Sequence, residues 1–226
     1  TTGSPFARAV RIVLDEKGLK YEPVEEITTT SADVRAADAP TLQVPALRDG
    51  ETRLWDSLVI IEYLIQTYPG TAPSDPPFSD VFARPNREIA DRQQMATLQT
   101  LGVSAATISQ LKWSGVGFEN DYAARNAERI GYLLGWAEEE LGGEGQGFQP
   151  GNVSVQDILL ACPLMFLDNR PLDFDWRAGG HPRVSALVER LSSRRSFRDN
   201  PIWWWEPGVT GYEPDGTPVY GDGAKG

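Results

Sequence analysis

The sequence predicts two unlike halves: a small α/β domain over residues 1–70 and an all-α domain over 84–205, with a linker at 71–83 and a tail at 206–226. Three observations carry this division. A hairpin signature around Asp49-Gly50 lies between two short helical patterns. The stretch YPGTAPSDPP at 68–77 is dense in Pro, Gly and Ser and has no apolar period, which marks a connection rather than an element. Beyond it the apolar residues recur only at helical spacing.

In the first half, Ser4 reads as a helix N-cap with Pro5 as the first helical residue, where its missing N–H costs nothing. Phe6, Val10, Val13 and Leu14 fall on one face, Arg8, Arg11 and Glu16 mostly elsewhere, and Gly18 closes the helix. Residues 19–27 read as an extended segment, an edge strand because of Pro23, and 31–38 as weakly helical. Residues 44–47 and 52–55 are short strands joined by a turn that needs positive φ. Pro45 cannot donate to a ladder, so the first strand presents its N–H side there to an edge or turn; a cis Val44–Pro45 bond is expected, leaving the backbone of Val44 free for a ligand. Val59, Ile60, Tyr63 and Leu64 then fit a helix capped by Asp56 or Ser57. Taken alone, that dipeptide is a structural cap. It also suits an amino-acid head group, with a carboxylate on the Ser57 amide and hydroxyl and an ammonium on Asp56.

The run VPAL, a turn, LWDS and an apolar helix, together with SPF at residues 4–6, resembles the glutathione transferase family, and the resemblance covers most of the chain. It implies a thioredoxin-like glutathione-binding domain followed by an all-helical domain. That domain normally opens with a central strand, of which no trace precedes Ser4, so this strand is expected upstream of Thr1. By resemblance, the Val44 backbone meets the cysteinyl part of glutathione, Pro45 is cis, and Asp56 and Ser57 bind the γ-glutamyl end. Gln43 stands where many members place a Lys toward the glycyl carboxylate. Members with SPF at this point use the Ser to activate the thiol, which assigns the catalytic role to Ser4.

In the second half, 84–111 and 121–141 read as helices, the second ended by GGEGQG. The sequence VSVQDI has Ser154 as N-cap, Asp157 three positions on and Val153 poised to pack on Ile158, a capping box with a staple. This arrangement resembles the buried helix of the transferase C-terminal domain. Cys162 lies inside that helix as a small core residue with no evident cationic neighbour. His181-Pro182 starts a helix running to about residue 195, with His181 as a cap or surface residue. Trp203, Trp204 and Trp205 cannot all face one side of a regular element; packing on the helical domain is expected, a pocket wall or dimer contact being the sharper reading. The Gly- and Pro-rich tail should be extended or mobile.

Composition bounds the function. A net charge of −11 argues against nucleic acid or an anionic membrane as partner. One Cys and one His argue against a disulfide framework, a cysteine cluster or a histidine metal centre, and a reducing cytoplasm is the simplest setting. No apolar run is long enough to span a membrane. The leading expectation is an enzyme that joins the glutathione thiolate to a small apolar electrophile, with glutathione as co-substrate, no metal or redox cofactor, and, by resemblance, a homodimer. The alternatives are a non-catalytic binding protein of the same fold and a glutathione-dependent thiol reductase. The reductase needs a Cys where Ser4 stands.

Overall fold

The computed structural model describes residues 3–24, 36, 39–143 and 146–202, and the backbone of 209–212 and 218–220. Helix α1 (Pro5–Glu16) starts as its sequence predicts, with Ser4 as an extended N-cap; Lys17 is the C-cap and Gly18 leaves the helix at φ 67°. Val10, Val13 and Leu14 are buried as expected, but so are Arg8 (4% exposed) and Glu16 (3%). The helix is therefore covered on its polar side too, by residues 165 and 194–201. Arg8 donates Nε to Asn200 O at 2.7 Å and Nη2 to Phe197 O at 3.2 Å. A guanidinium can be enclosed there because carbonyl oxygens replace its water.

Strands β1 (Ala46–Asp49) and β2 (Thr52–Trp55) pair antiparallel, with Ala46 opposite Trp55 and Asp49 opposite Thr52. The Val44–Pro45 bond is cis, and β1 begins at Ala46 rather than at 44 because Pro45 has no N–H for the ladder. The turn is made by Gly50, at φ 56°, and Glu51, with Asp49 still in the strand. Residues 19–24 form no strand and Lys20 to Val24 are exposed, so the expected edge strand is absent over that part. Residues 25–27, and all of 31–38 except helical Ala36, lie outside the described residues. Helix α2 (Ser57–Thr67) buries Ile60, Ile61 and Leu64 against α1.

After α2 the chain runs without regular structure to α3 (Glu88–Trp113), which starts four residues later than its apolar spacing suggests. Arg84 instead folds back onto buried Asp91, donating its backbone N at 2.8 Å and side-chain Nε at 2.9 Å. Helix α4 is Asp121–Glu140, capped by Asn120, and α5 is Val155–Asp168. The predicted capping box is present: Asp157 N donates to Ser154 Oγ at 3.2 Å and Ser154 N donates to Asp157 Oδ2 at 2.8 Å. Val153 and Ile158 are both fully buried, as the staple requires. Burying Val155, Ile158, Leu160 and Leu164 completely, α5 is the helix around which α1, α3 and α6 pack.

A 3₁₀ turn (Trp176–Gly179) precedes α6 (Pro182–Ser192) and the short α7 (Arg195–Arg198). His181 caps α6 by position only, without a side-chain cap bond. The helix expected to continue to 195 stops at Ser192, because Arg194 adopts an extended backbone and turns its side chain onto Glu16. Trp203 to Trp205 lie outside the described residues. The tail is not simply extended: β3 (Val209–Tyr212) and β4 (Pro218–Tyr220) pair antiparallel as a ribbon. The protein thus has the expected class, a small α/β half of thioredoxin-like type joined to an all-helical half.

Candidate active site

The hairpin and α2 define one wall. Ala46 faces Trp55, so Val44-Pro45 and Asp56-Ser57 leave the ladder at the same end. Asp56 sits at φ 69°, ψ 128°, a backbone that costs a non-glycine residue of order 1–3 kcal/mol and persists only where the surroundings enforce it. What holds it is its own side chain: Oδ1 accepts from Leu58 N at 2.8 Å and Val59 N at 3.5 Å. Asp56 is therefore the N-cap, which decides between the two residues the sequence left open. Ser57 is the first helical residue and is 2% exposed. Gln43 is exposed, its N–H donating to Thr41 Oγ1 at 3.4 Å, and Val44 and Pro45 are half-buried.

The first turn of α1 forms the second wall. Ser4 is half-buried, and its Oγ accepts from Ala7 N at 3.3 Å, leaving its proton available to donate. Helix α3 ties the two walls together. Gln99 donates Nε2 to Ser57 Oγ at 3.3 Å, and the same side chain lines a narrow crevice with Pro5, Phe6 and Ala9 of α1. Phe6 comes this close because residue 102 is glycine: a Cβ there would stand 2.7 Å from the ring. Gln99 thus touches Ser57 and lines the crevice at the start of α1, the helix that Ser4 caps; Val44, Pro45 and Asp56 lie at the same end of the hairpin as Ser57, and Gln43 is exposed.

Sequence reasoning missed three supporting residues. Gln99 carries no local signal, since it lies on a helix 42 positions from Ser57. Arg170 donates Nη2 to Gly3 O at 2.9 Å, fixing the residue before Ser4 from a distance of 167 positions. Asp49 accepts at one carboxylate oxygen from both Tyr63 Oη (2.8 Å) and Tyr68 Oη, which fastens the hairpin to the far end of α2. Those two hydrogen bonds hold the Asp49 carboxyl below its usual range, and the bond to Asp49 pushes Tyr68 up to about 12. Cys162 does have cationic neighbours, Arg8 and Arg11, contrary to expectation. Burial outweighs them and pushes its thiol up to about 11, so it behaves as core. Among the described residues there is no group of three or more His, Cys, Asp or Glu placed to hold a metal ion, and no helix is long and apolar enough to cross a membrane.

Comparison with known proteins agrees with this architecture. The family model for the glutathione S-transferase N-terminal domain matches residues 1–72. The uncharacterized GST-like protein YibF of Escherichia coli is 30% identical over 197 residues, spanning 86% of this chain and 92% of that protein. A probable glutathione S-transferase of rice, GSTU6, is 38% identical over 81 residues, about a third of each chain. Among solved structures, a Methylobacterium radiotolerans glutathione S-transferase in complex with glutathione sulfonate superposes with a TM-score of 0.70 at 26% identity, over 89% of this chain and 92% of that one. The chain belongs to the glutathione S-transferase family.

Proposed function

We propose that the protein is a glutathione transferase that uses Ser4 to favour the thiolate of bound glutathione. The observation that carries this reading is that Ser4 caps α1 with an unused proton, while Gln99 of α3 donates to Ser57 Oγ and lines a crevice with Pro5, Phe6 and Ala9 of that same helix start. The glutathione sulfonate bound in the Methylobacterium radiotolerans structure and the glutathione bound in a Pseudomonas fluorescens family member support the ligand. In this reading the γ-glutamyl carboxylate lies at the Ser57 amide and hydroxyl, and the Asp56 carboxylate faces the ammonium. The Val44 backbone before Pro45 meets the cysteinyl unit, and the Gln43 side chain meets the glycyl carboxylate. Asp56 keeps one oxygen for this role while the other caps α2.

The Ser4 hydroxyl donates to sulfur, and the first-turn amides of α1 add positive potential, so the S–H proton leaves for solvent more readily. The thiolate then attacks an electrophilic carbon of a small apolar acceptor: a C–S bond forms, and the leaving group departs with the bonding pair. No metal or redox cofactor enters this step. The test is turnover with a model electrophile, together with the ionisation of bound glutathione, in Ser4→Gly and Ser4→Ala. Both variants should lose turnover and raise the pH at which bound glutathione ionises. Full turnover in Ser4→Gly would reduce Ser4 to a cap.

A further inference from the structure

Three hydrogen bonds hold Ser4 and the peptide unit before it; two are made by α1 itself and one reaches them from the helical half. The Ser4 carbonyl accepts from Arg8 N at 3.0 Å, and Ser4 Oγ accepts from Ala7 N at 3.3 Å. Both close within the first turn of α1. The third acts on Gly3 O, the oxygen of the peptide unit that leads into Ser4, which accepts from Arg170 Nη2 at 2.9 Å. Arg170 lies just past the end of α5, next to its C-cap Asn169.

The guanidinium that makes this bond is itself held in one place. Arg170 is 9% exposed, its Nη1 donates to Asn169 Oδ1 at 2.8 Å, and its Cζ stands 4.0 Å from the centre of the Phe166 ring in the last turn of α5. A planar cation set on a ring face and gripping two oxygens has little freedom to turn. The chain around it is anchored as well: Arg170 N donates to Leu167 O at 3.2 Å, Leu172 N to Arg170 O at 2.8 Å, and Asp173 pairs with Lys112 of α3 at 2.6 Å. Of the other charged groups here, Asp168 is taken up by Arg177 and by Trp176 Nε1, and Arg8 spends its Nε and Nη2 on the carbonyls of Asn200 and Phe197. A fixed cation on Gly3 O has two consequences. It sets the direction of the peptide unit from which Ser4 continues, and so the place of the hydroxyl. It also polarises that unit toward its Ser4 N–H end, and a buried charge is weakly screened, so both effects favour an anion beside Ser4. A neutral donor could hold the same carbonyl without the cost of enclosing a charge; what the arginine adds is its field.

We infer that Arg170 is a positioning residue for activation of the thiol: by holding the Gly3 carbonyl it places the Ser4 hydroxyl and sets a positive charge behind it. The inference rests on the reading of Ser4 as the group that favours the thiolate. It adds that a residue at the end of α5, in the other half of the chain, sets how strongly Ser4 does so.

The test is the ionisation of bound glutathione, followed by thiolate absorbance against pH, together with kcat and KM for glutathione with a model electrophile, in Arg170→Met and Arg170→Lys of the full chain. Arg170→Met should raise the ionisation pH by about one unit, the low end of what a nearby opposite charge does to an acid. Below that pH kcat should fall about tenfold while KM for glutathione stays within about twofold. Arg170→Lys keeps the charge without the planar edge and should fall between the Met variant and wild type on both readings. In a Ser4→Gly background the shift caused by Arg170→Met should shrink, as expected of two residues that act through one another. Should Arg170→Met not fold by circular dichroism, Asn169→Asp decides: this exposed, isosteric change sets a carboxylate against Nη1, offsets the charge and leaves the bond to Gly3, so the ionisation pH should again rise. An unchanged ionisation pH in Arg170→Met or in Asn169→Asp, a raised KM with unchanged kcat, or a shift of full size in the Ser4→Gly background overturns the assignment. If Ser4→Gly alone leaves the ionisation pH unchanged, the reading of Ser4 fails and this inference with it; a shift in Ser4→Gly with none in Arg170→Met removes Arg170 alone.

Discussion

The two ends of α1 handle polar groups in opposite ways. At the N-terminal end, half-buried Ser4 accepts a single 3.3 Å bond and keeps its proton. At the C-terminal end, Glu16 is 3% exposed, and its carboxylate is gripped by two nitrogens of Arg194 and by the Ser196 hydroxyl. The residues meeting at that end are 178 to 180 positions apart, so the bonds join the start of the chain to the end of the helical half. One helix thus has an end whose hydrogen-bonding capacity is fully used for assembly and an end where capacity is left over. The proposed chemistry uses the second, since only an unsatisfied donor can respond to charge developing on a ligand.

The comparison breaks most visibly at Glu16. Glu16→Ala leaves the Arg194 guanidinium enclosed without its carboxylate and should cost about 3–5 kcal/mol of unfolding free energy, measured by urea denaturation. A loss under about 1 kcal/mol would mean that the C-terminal end does not hold the halves together. Next comes Ser4, where stability and turnover should separate. Ser4→Ala should cost about 1 kcal/mol of stability and Ser4→Gly only a few tenths. Turnover should nevertheless fall about tenfold or more in both, the worth of a hydrogen bond to a charged group of about 1.5–3 kcal/mol.

A smaller effect is expected at Gln99. Gln99→Ala removes the donor to Ser57 Oγ. A neutral hydrogen bond of about 1 kcal/mol corresponds to a rise of about fivefold in the KM for glutathione, with kcat nearly unchanged. An unchanged KM would detach α3 from the site. The smallest change belongs to the clasp at Asp49. Tyr68 has its folded pKa raised to about 12 from 10.0, so its contribution is complete below pH 10 and is lost as pH rises toward 12. Asp49→Asn should bring the Tyr68 titration, followed by phenolate absorbance, back toward 10 and flatten the alkaline loss of stability. A Tyr68 that titrates identically in the variant would show that the clasp is absent in solution.

What was legible in the sequence was whatever its neighbours determine. Ser4-Pro5 announces a helix start, Ser154 to Asp157 a capping box, and Asp49-Gly50 a hairpin, because each device closes within three or four residues. Pairing across the chain was not legible. Arg8 and Glu16 read as solvent-facing residues of an amphipathic helix, and only the return of residues 194–200 onto α1 buries them. Gln99 looks like any polar helical residue until α3 is laid against α2. The same limit explains the missed helix end near Ser192: the residue that stops α6, Arg194, does so for the sake of a carboxylate near the other terminus. The segment at 19–27 read as an extended edge strand because of Pro23, but its described part, 19–24, is not a strand.

The stretch after α2, rich in Pro and Gly, is stitched into the helical half. Val153 N donates to Pro77 O at 2.9 Å and Ser79 N donates to Val153 O at 2.8 Å, so Phe78 bridges the residue that precedes the Ser154 cap. Closer to α1, Lys17 pairs with Asp80 and donates to Gly70 O at 3.2 Å. A segment tied to both bodies at once cannot let one loosen while the other stays closed. The amides of Ser79 and Val153 should therefore exchange with solvent at a common rate set by a single cooperative opening, making this stretch part of the most protected unit of the molecule despite its composition.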